Sequence, residues 1–428
     1  MIDQQTGGKD RGEKHFGPID YLKITILVFA LTALWSSLQS IILPVRLLAY
    51  VPESQKNTYL GLLTFTGLVV AMIVQPIAGT YSDFTDSRWG RRQPYILLGM
   101  LLTLIILPGI GLAKTYVGIF VVYCLLQIGS NTAQASYQAF IPELVPKDKR
   151  GLASGVKSVL GVLGGVALVR ITAYFMGRYF VGGGEFWMWI ALGALEVVIL
   201  TATIITVLTV KEPPSGHRLG LTMPSIWRRF RIDFKVHRDY SWFLFAIALL
   251  GVPGTALQTY ALYYLMDVFK IPNPASVTGN LLVVVGISLL VTAYPAGRLS
   301  DRVGRKPILV ASGILGIAGI LILFFSRNCM QIMFSGALLG IANGALLSAG
   351  WALATDFAVK GEEAKYLGFT ELVMSAGTAV ARLLGPVIDF FNRISQNLGY
   401  QVMLLVCLIS LIAGIILIIN IRHIKPSV

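Results

Sequence analysis

The chain reads as a series of apolar runs of about 20 residues or more, separated by short polar stretches. A helix of that length spans a bilayer core of about 30 Å. Runs such as 403–421 are apolar all round and present no charged face to water, which rules against a large soluble helical protein. Backbone groups in hydrocarbon must pair within their own segment, so each run is predicted to be helical. The polar stretches fall at 1–23, 46–57, 82–95, 113–116, 143–151, 177–186, 211–240, 267–275, 298–307, 327–330, 356–365, 389–398 and 422–428. They leave twelve transmembrane helices in an all-α integral membrane protein.

Composition agrees: 55% of the 428 residues are hydrophobic and 13% charged, against about 25% charged in soluble domains. The net charge of +14 invites a nucleic-acid reading, but its distribution does not support one. Alternate polar stretches, beginning with the N-terminus, hold 25 of the 35 Lys and Arg residues; the other side holds seven. That asymmetry places both termini and the long central stretch in the cytoplasm. Cys124, Cys329 and Cys407 have no metal-site or disulfide spacing. The first 20 residues lack the short apolar run of a cleaved signal peptide. No nucleophile–base pair or phosphate-cradling motif occurs, and the four His all fall in cytoplasmic stretches, so no enzyme and no cofactor is expected.

The chain also repeats. Gly79-Thr-Tyr-Ser82-Asp83 with Gly90-Arg91-Arg92-Gln-Pro94 follows the second span, and Gly297-Arg-Leu-Ser300-Asp301-Arg302-Val-Gly304-Arg305-Lys306-Pro307 follows the eighth. Asp83 and Asp301 are 218 residues apart. Leu38-Gln39-Ser40 reappears as Leu257-Gln258-Thr259, and Glu143 and Asp356 end the fourth and tenth spans. Landmarks in one order at nearly constant offset indicate a duplicated six-helix unit. The predicted layout is a cytoplasmic tail (1–23), a six-helix bundle (24–210), a cytoplasmic linker (211–240), a second bundle (241–421) and a short tail (422–428). Such duplicated bundles suit alternating access around a site near the midplane. In each loop the Asp is expected to accept amide hydrogen bonds at a neighbouring helix N-terminus, where negative charge is favoured, and so to latch one face shut. Asp83, Arg88, Arg91, Arg92, Glu143 and Arg150 in the first half, with Asp301, Arg302, Arg305 and Asp356 in the second, are the gating candidates.

Polar stripes mark candidate binding residues. Gln127, Asn131, Gln134 and Gln138 share one face of the fourth helix, and amides facing lipid would strand their donors. They either line a cavity, offering donors and acceptors to a neutral polyhydroxylated ligand, or hold helices together. Trp35, Gln39 and Arg46 share a face of the first span. Gln258, Tyr260, Tyr263, Tyr264 and Asp267 lie on the seventh; Asn343 and Trp351 share a side of the tenth. Aromatic faces stack on sugar rings, although Tyr263, Tyr264 and Asp267 near the outer end also fit an interface belt. Three charges fall within spans at depth: Lys157, Glu371 and Glu196. An ionisable residue there is a functional candidate, Glu371 and Glu196 for a coupling proton, Lys157 for an anionic group. Arg170 and Arg382, nearer the outer ends, are placed to snorkel.

The second-half loop resembles the major facilitator superfamily signature, Gly-x-x-x-Asp-[Arg/Lys]-x-Gly-Arg-[Arg/Lys]; the first-half copy has Phe84 for the basic residue and four extra residues before Gly90. Its longer form, from Ser82 to Ile96, and the fourth span from Asn131 to Leu144 are similar to glycoside–pentoside–hexuronide:cation symporters and to sucrose-transporter-like carriers. The resemblance implies a major facilitator fold and secondary active transport of a sugar or glycoside coupled to H+ or Na+, by a monomer in the plasma (inner) membrane. Plant-type sucrose carriers have an acidic residue where this chain has Gln127 and an Arg where it has Gln138, so coupling here would run through other residues, or be absent. A proton-coupled exporter of drugs or organic anions and, more remotely, a non-transporting sensor remain the alternatives.

Overall fold

The computed structural model describes residues 17–85, 87, 89–212, 238–359 and 363–421, with 363 and 364 as backbone only. Arg88 and the four His therefore lie outside the described residues. Twelve helices are long and apolar enough to cross a membrane: α1 (Pro18–Leu47), α2 (Glu53–Phe84), α3 (Gln93–Leu112), α4 (Tyr116–Leu144), α5 (Lys147–Gly183), α6 (Glu185–Thr209), α7 (Arg238–Asp267), α8 (Pro274–Val303), α9 (Arg305–Phe325), α10 (Cys329–Phe357), α11 (Lys365–Ile394) and α12 (Leu398–Ile419). No strand occurs among the described residues.

The duplication is visible in the packing. In the first half α1 packs on α5 and α6, α4 on α2 and α3, and α3 on α6; in the second, α7 packs on α11 and α12, α10 on α8 and α9, and α9 on α12. Close crossings also repeat. A Cβ at Gly164 of α5 would run into the Phe29 carbonyl of α1, and one at Gly377 of α11 into the Ala248 carbonyl of α7. Only glycine lets backbones meet this closely in a membrane bundle. Pro76 in α2 and Pro295 in α8 lie inside their helices, 219 residues apart. In α1, Pro44 cannot donate to the Ser40 carbonyl, and the turn ahead of it, Leu38–Ile42, widens to a π-helix.

The halves meet through α5–α8 and α2–α11. Gly279 of α8 sits against Ala173, and Gly286 against Val166. These meetings fall in the parts of α5 and α8 away from the arginine-rich loops, so the halves close on one face and separate toward the other. The loop face is called the basic face below.

Candidate functional site

Between the halves lies a cavity of about 1100 Å³. On the first half it is lined by Thr32 and Ser36 of α1, Gln138 and Pro142 of α4, and Ser154, Lys157 and Gly161 of α5. On the second it is lined by Gln258 and Tyr264 of α7, Val285 of α8, Asn343 and Trp351 of α10, and aliphatic residues of α9 and α12. Lys157 Nζ lies 5.1 Å from the Tyr137 ring centroid, a cation–π arrangement. Glu371 lies on the opposite half and is not part of the cavity lining. The side chain of Glu371 is exposed. Glu196 is half-buried on α6 and is not part of the cavity lining.

Four of the ten predicted binding residues, Gln138, Gln258, Asn343 and Trp351, thus share the cavity wall. The others stand behind it. Gln39 and Gln127 both donate to the Tyr123 hydroxyl, at 3.1 and 3.0 Å. Asn131 donates to Gln127 Oε1 at 2.7 Å and accepts from Gln75 at 2.7 Å. Trp35 packs edge-on against Tyr123, with ring centroids 5.8 Å apart. These amides form a satisfied chain through α1, α2 and α4, the helix-joining arrangement rather than an open wall. Gln134 is half-buried. Tyr260 is fully buried and donates to the Arg382 carbonyl. Gly67 makes room for Tyr123 and Gln127, which would meet any Cβ there.

The basic face carries two separate charge clusters. In the first, buried Arg92 pairs with Asp83 and with Glu143 at 2.6 Å, and donates to the Ser82 hydroxyl at 2.5 Å. Arg91 pairs with Glu143 at 2.8 Å, and Arg150 donates to the Val145 and Pro142 carbonyls. Burial works to lower the Arg92 pKa, but Glu143 and Asp83 outweigh it and raise the pKa. In the second cluster Arg305 pairs with Asp301 and, at 3.3 Å, with Asp356. Arg302 is exposed. Every ion pair of these two clusters stays within one half.

The latch expectation changes. Asp83 and Asp301 bond arginine side chains; ahead of α3 the carboxylate at the helix N-terminus is Glu212, in the stretch read as linker. Glu212 accepts from the Arg92 amide at 2.9 Å, ahead of α3. Burial pushes its carboxyl up, against the amide bonds of Arg92, Gln93 and Arg91. Gly90, at φ +96°, provides the notch, since a Cβ there would strike the Glu212 side chain. The motif hid this partner because it lies 120 residues downstream.

The opposite face is closed by a polar network between the halves, which span-by-span reading did not find. Lys56 pairs with Asp267 at 2.6 Å, and Tyr400 donates to Asp267 at 2.6 Å. Asn57 donates to Asp389 at 2.8 Å, as does the Thr58 amide at 2.6 Å. Arg382, read above as a snorkelling residue, is 8% exposed and donates to the Thr64 carbonyl and to Gln39 across the divide. Tyr263 is fully buried and donates to the Pro44 carbonyl, so it is no interface-belt residue. Arg46 is buried too, donating to the Ile110, Gly111 and Ala113 carbonyls within the first half.

Two six-helix repeats with a cavity between them define an integral membrane transporter of the major facilitator class. More narrowly, the chain belongs to the MFS/sugar transport protein family, whose model matches residues 28–422. It is 24% identical over 313 residues to the lactose permease of Leuconostoc lactis, a match covering 67% of this chain and 48% of the permease, about half that relative's length. It is 24% identical over 398 residues to the multidrug resistance protein MdtG of Enterobacter lignolyticus (strain SCF1), covering 90% of this chain and 88% of that one. The crystal structure of a D-xylose–proton symporter superposes with a TM-score of 0.70 at 14% identity, covering 93% of this chain and 97% of that chain, a likeness of fold.

Proposed function

We propose that the protein moves a sugar or glycoside across the plasma (inner) membrane by cation-coupled alternating access, with the basic face in the cytoplasm. The reading rests on the convergence of Gln138, Gln258 and Asn343, from both halves, on one cavity with Trp351. Amides both donate and accept, as a ring of hydroxyls requires, and an indole face suits the C–H side of a sugar ring. The family description and the names lactose permease and D-xylose–proton symporter support the same class. The excess of Lys and Arg on the loop face supports its cytoplasmic placement, which makes this the inward-open state. Gln127 is committed to Tyr123 and Asn131, so coupling falls to another group, and exposed Glu371 is the carboxylate assigned to it.

Counterflow of labelled mono- and disaccharides into proteoliposomes tests the substrate class. Glu371→Gln is expected to abolish proton-driven accumulation and spare counterflow; accumulation that survives intact removes Glu371 from coupling. Lys157 in the cavity wall favours a second reading, an organic-anion or drug exporter, in line with the similarity to MdtG. Thermal stabilisation by organic anions, lost in Lys157→Gln, with no counterflow of any sugar, would establish that reading in place of the first.

A further inference from the structure

Asp389 lies near the end of α11 and is 3% exposed. Its two carboxylate oxygens reach into the other half of the molecule, one accepting from Asn57 Nδ2 at 2.8 Å and the other from the Thr58 amide at 2.6 Å. Asn57 and Thr58 belong to the first turn of the α-helix Lys56–Phe84 within α2. That turn leaves its amides unpaired and carries the positive end of the helix dipole. Asp389 is thus a second anion at a helix N-terminus, beside Glu212 of the loop face. It acts across the halves, and on the face opposite to the loops.

The surroundings leave Asp389 to this partner. The nearest cation of α2, Lys56, is committed to Asp267 of α7, which also accepts from Tyr400 of α12. Tyr400 meets Asn57 at 3.2 Å, so Asn57 is held between two side chains of the second half. The buried hydroxyls of Tyr260 and Tyr263 complete the neighbourhood. Gly385, one turn before Asp389 on α11, has no Cβ to strike the Asn57 carbonyl, which lets the two helices come this close.

We propose that Asp389 is a latch of the non-loop face, binding the N-terminus of α2 only in the state closed on that side, alongside the Lys56–Asp267 pair and the Arg382 bonds. Opening that face separates α2 from α11 and strips the carboxylate of both donors. Its charge therefore weights the balance between the two access states. The inference rests on alternation between states, as in the carrier reading, and on no particular substrate.

The test uses the full chain in lipid nanodiscs. Spin labels are placed at Lys114→Cys and at native Cys329, both exposed at helix ends of opposite halves, with Cys124→Ala and Cys407→Ala. Pulsed electron–electron resonance is expected to give one dominant distance. In Asp389→Asn a longer population should grow about ten-fold, the size of losing a hydrogen bond to a charged group. Asn57→Ala, which keeps the carboxylate and removes one donor, should show a smaller rise. Asp301→Asn, on the basic face, should not increase it. Distances unchanged in both Asp389→Asn and Asn57→Ala overturn the proposal; if Asp389→Asn does not fold, Asn57→Ala decides alone. A sugar counterflow result, positive or negative, leaves the distances as the criterion.

Discussion

Arg92 shows how much a single side chain of the loop motif organises. Its guanidinium binds Asp83, Glu143 and Ser82 while its amide donates to Glu212. Arg92→Ala leaves two carboxylates without their buried partner and is expected to cost about 2 kcal/mol, tempered by the half-exposed Asp83. Arg91→Ala, losing one partly exposed pair, should cost about 0.5 kcal/mol. Thermal unfolding of both variants checks the contrast. Glu212 adds a pH dependence. Burial raises its folded pKa, so the docked linker end is stabilised fully below the unfolded pKa, near 4.5. That stabilisation is lost as pH rises through the higher folded value. Glu212→Gln should flatten this part of the stability profile above pH 4.5 and cost little at pH 7. Glu212→Ala, leaving the amides ahead of α3 unbonded, should cost about 1 kcal/mol.

At the scale of helices, glycine positions separate what every state needs from what one state needs. Gly164 meets the Phe29 carbonyl inside the first half, and Gly385 meets the Asn57 carbonyl between halves. Gly164→Val should destabilise the protein in all states, by about 2 kcal/mol from overpacking, seen as a lower melting temperature. Gly385→Val should change the melting temperature less while raising the reactivity of a cysteine at Thr64, which is buried behind the closed face. Equal melting shifts would contradict this division. The repeat also explains why the two halves differ in chemistry. Where α8 and α10 cross, Gly340 lies on the Val285 carbonyl. In the first half the corresponding crossing of α2 and α4 has Gly67 facing Tyr123 and Gln127. The corresponding crossing is a backbone contact in one half and the start of an amide chain in the other.

For the molecule as a whole, the closed network around Lys56, Asp267 and Asp389 and the unbridged clusters on the basic face describe one access state. Ser154 lines the cavity toward the basic face. A cysteine placed there should react with an impermeant thiol reagent applied to that face, and bound substrate should slow the reaction about ten-fold or more at saturation. Reaction from the opposite face alone would reverse the assignment of the open side.

Twelve spans, the six-helix duplication and the charge asymmetry were legible in the residues themselves. They depend on local rules: segment length against bilayer thickness, backbone self-pairing in hydrocarbon, and the spacing of a repeated motif. The neighbours of a polar residue in a span were not legible. Helical periodicity puts Gln127, Asn131, Gln134 and Gln138 on one face, yet Gln138 reaches the cavity while Gln127 and Asn131 bond Tyr123 and Gln75. Nor did position in the chain distinguish Arg382 and Asp389, near the end of a span, from residues at a lipid interface. Each bonds a backbone group of the other half, 318 and 331 residues away. One-dimensional spacing sets which way a side chain leaves its own helix. Only the docking of two bundles supplies the partners that make a buried charge stable there, and so decides which face of this transporter is shut.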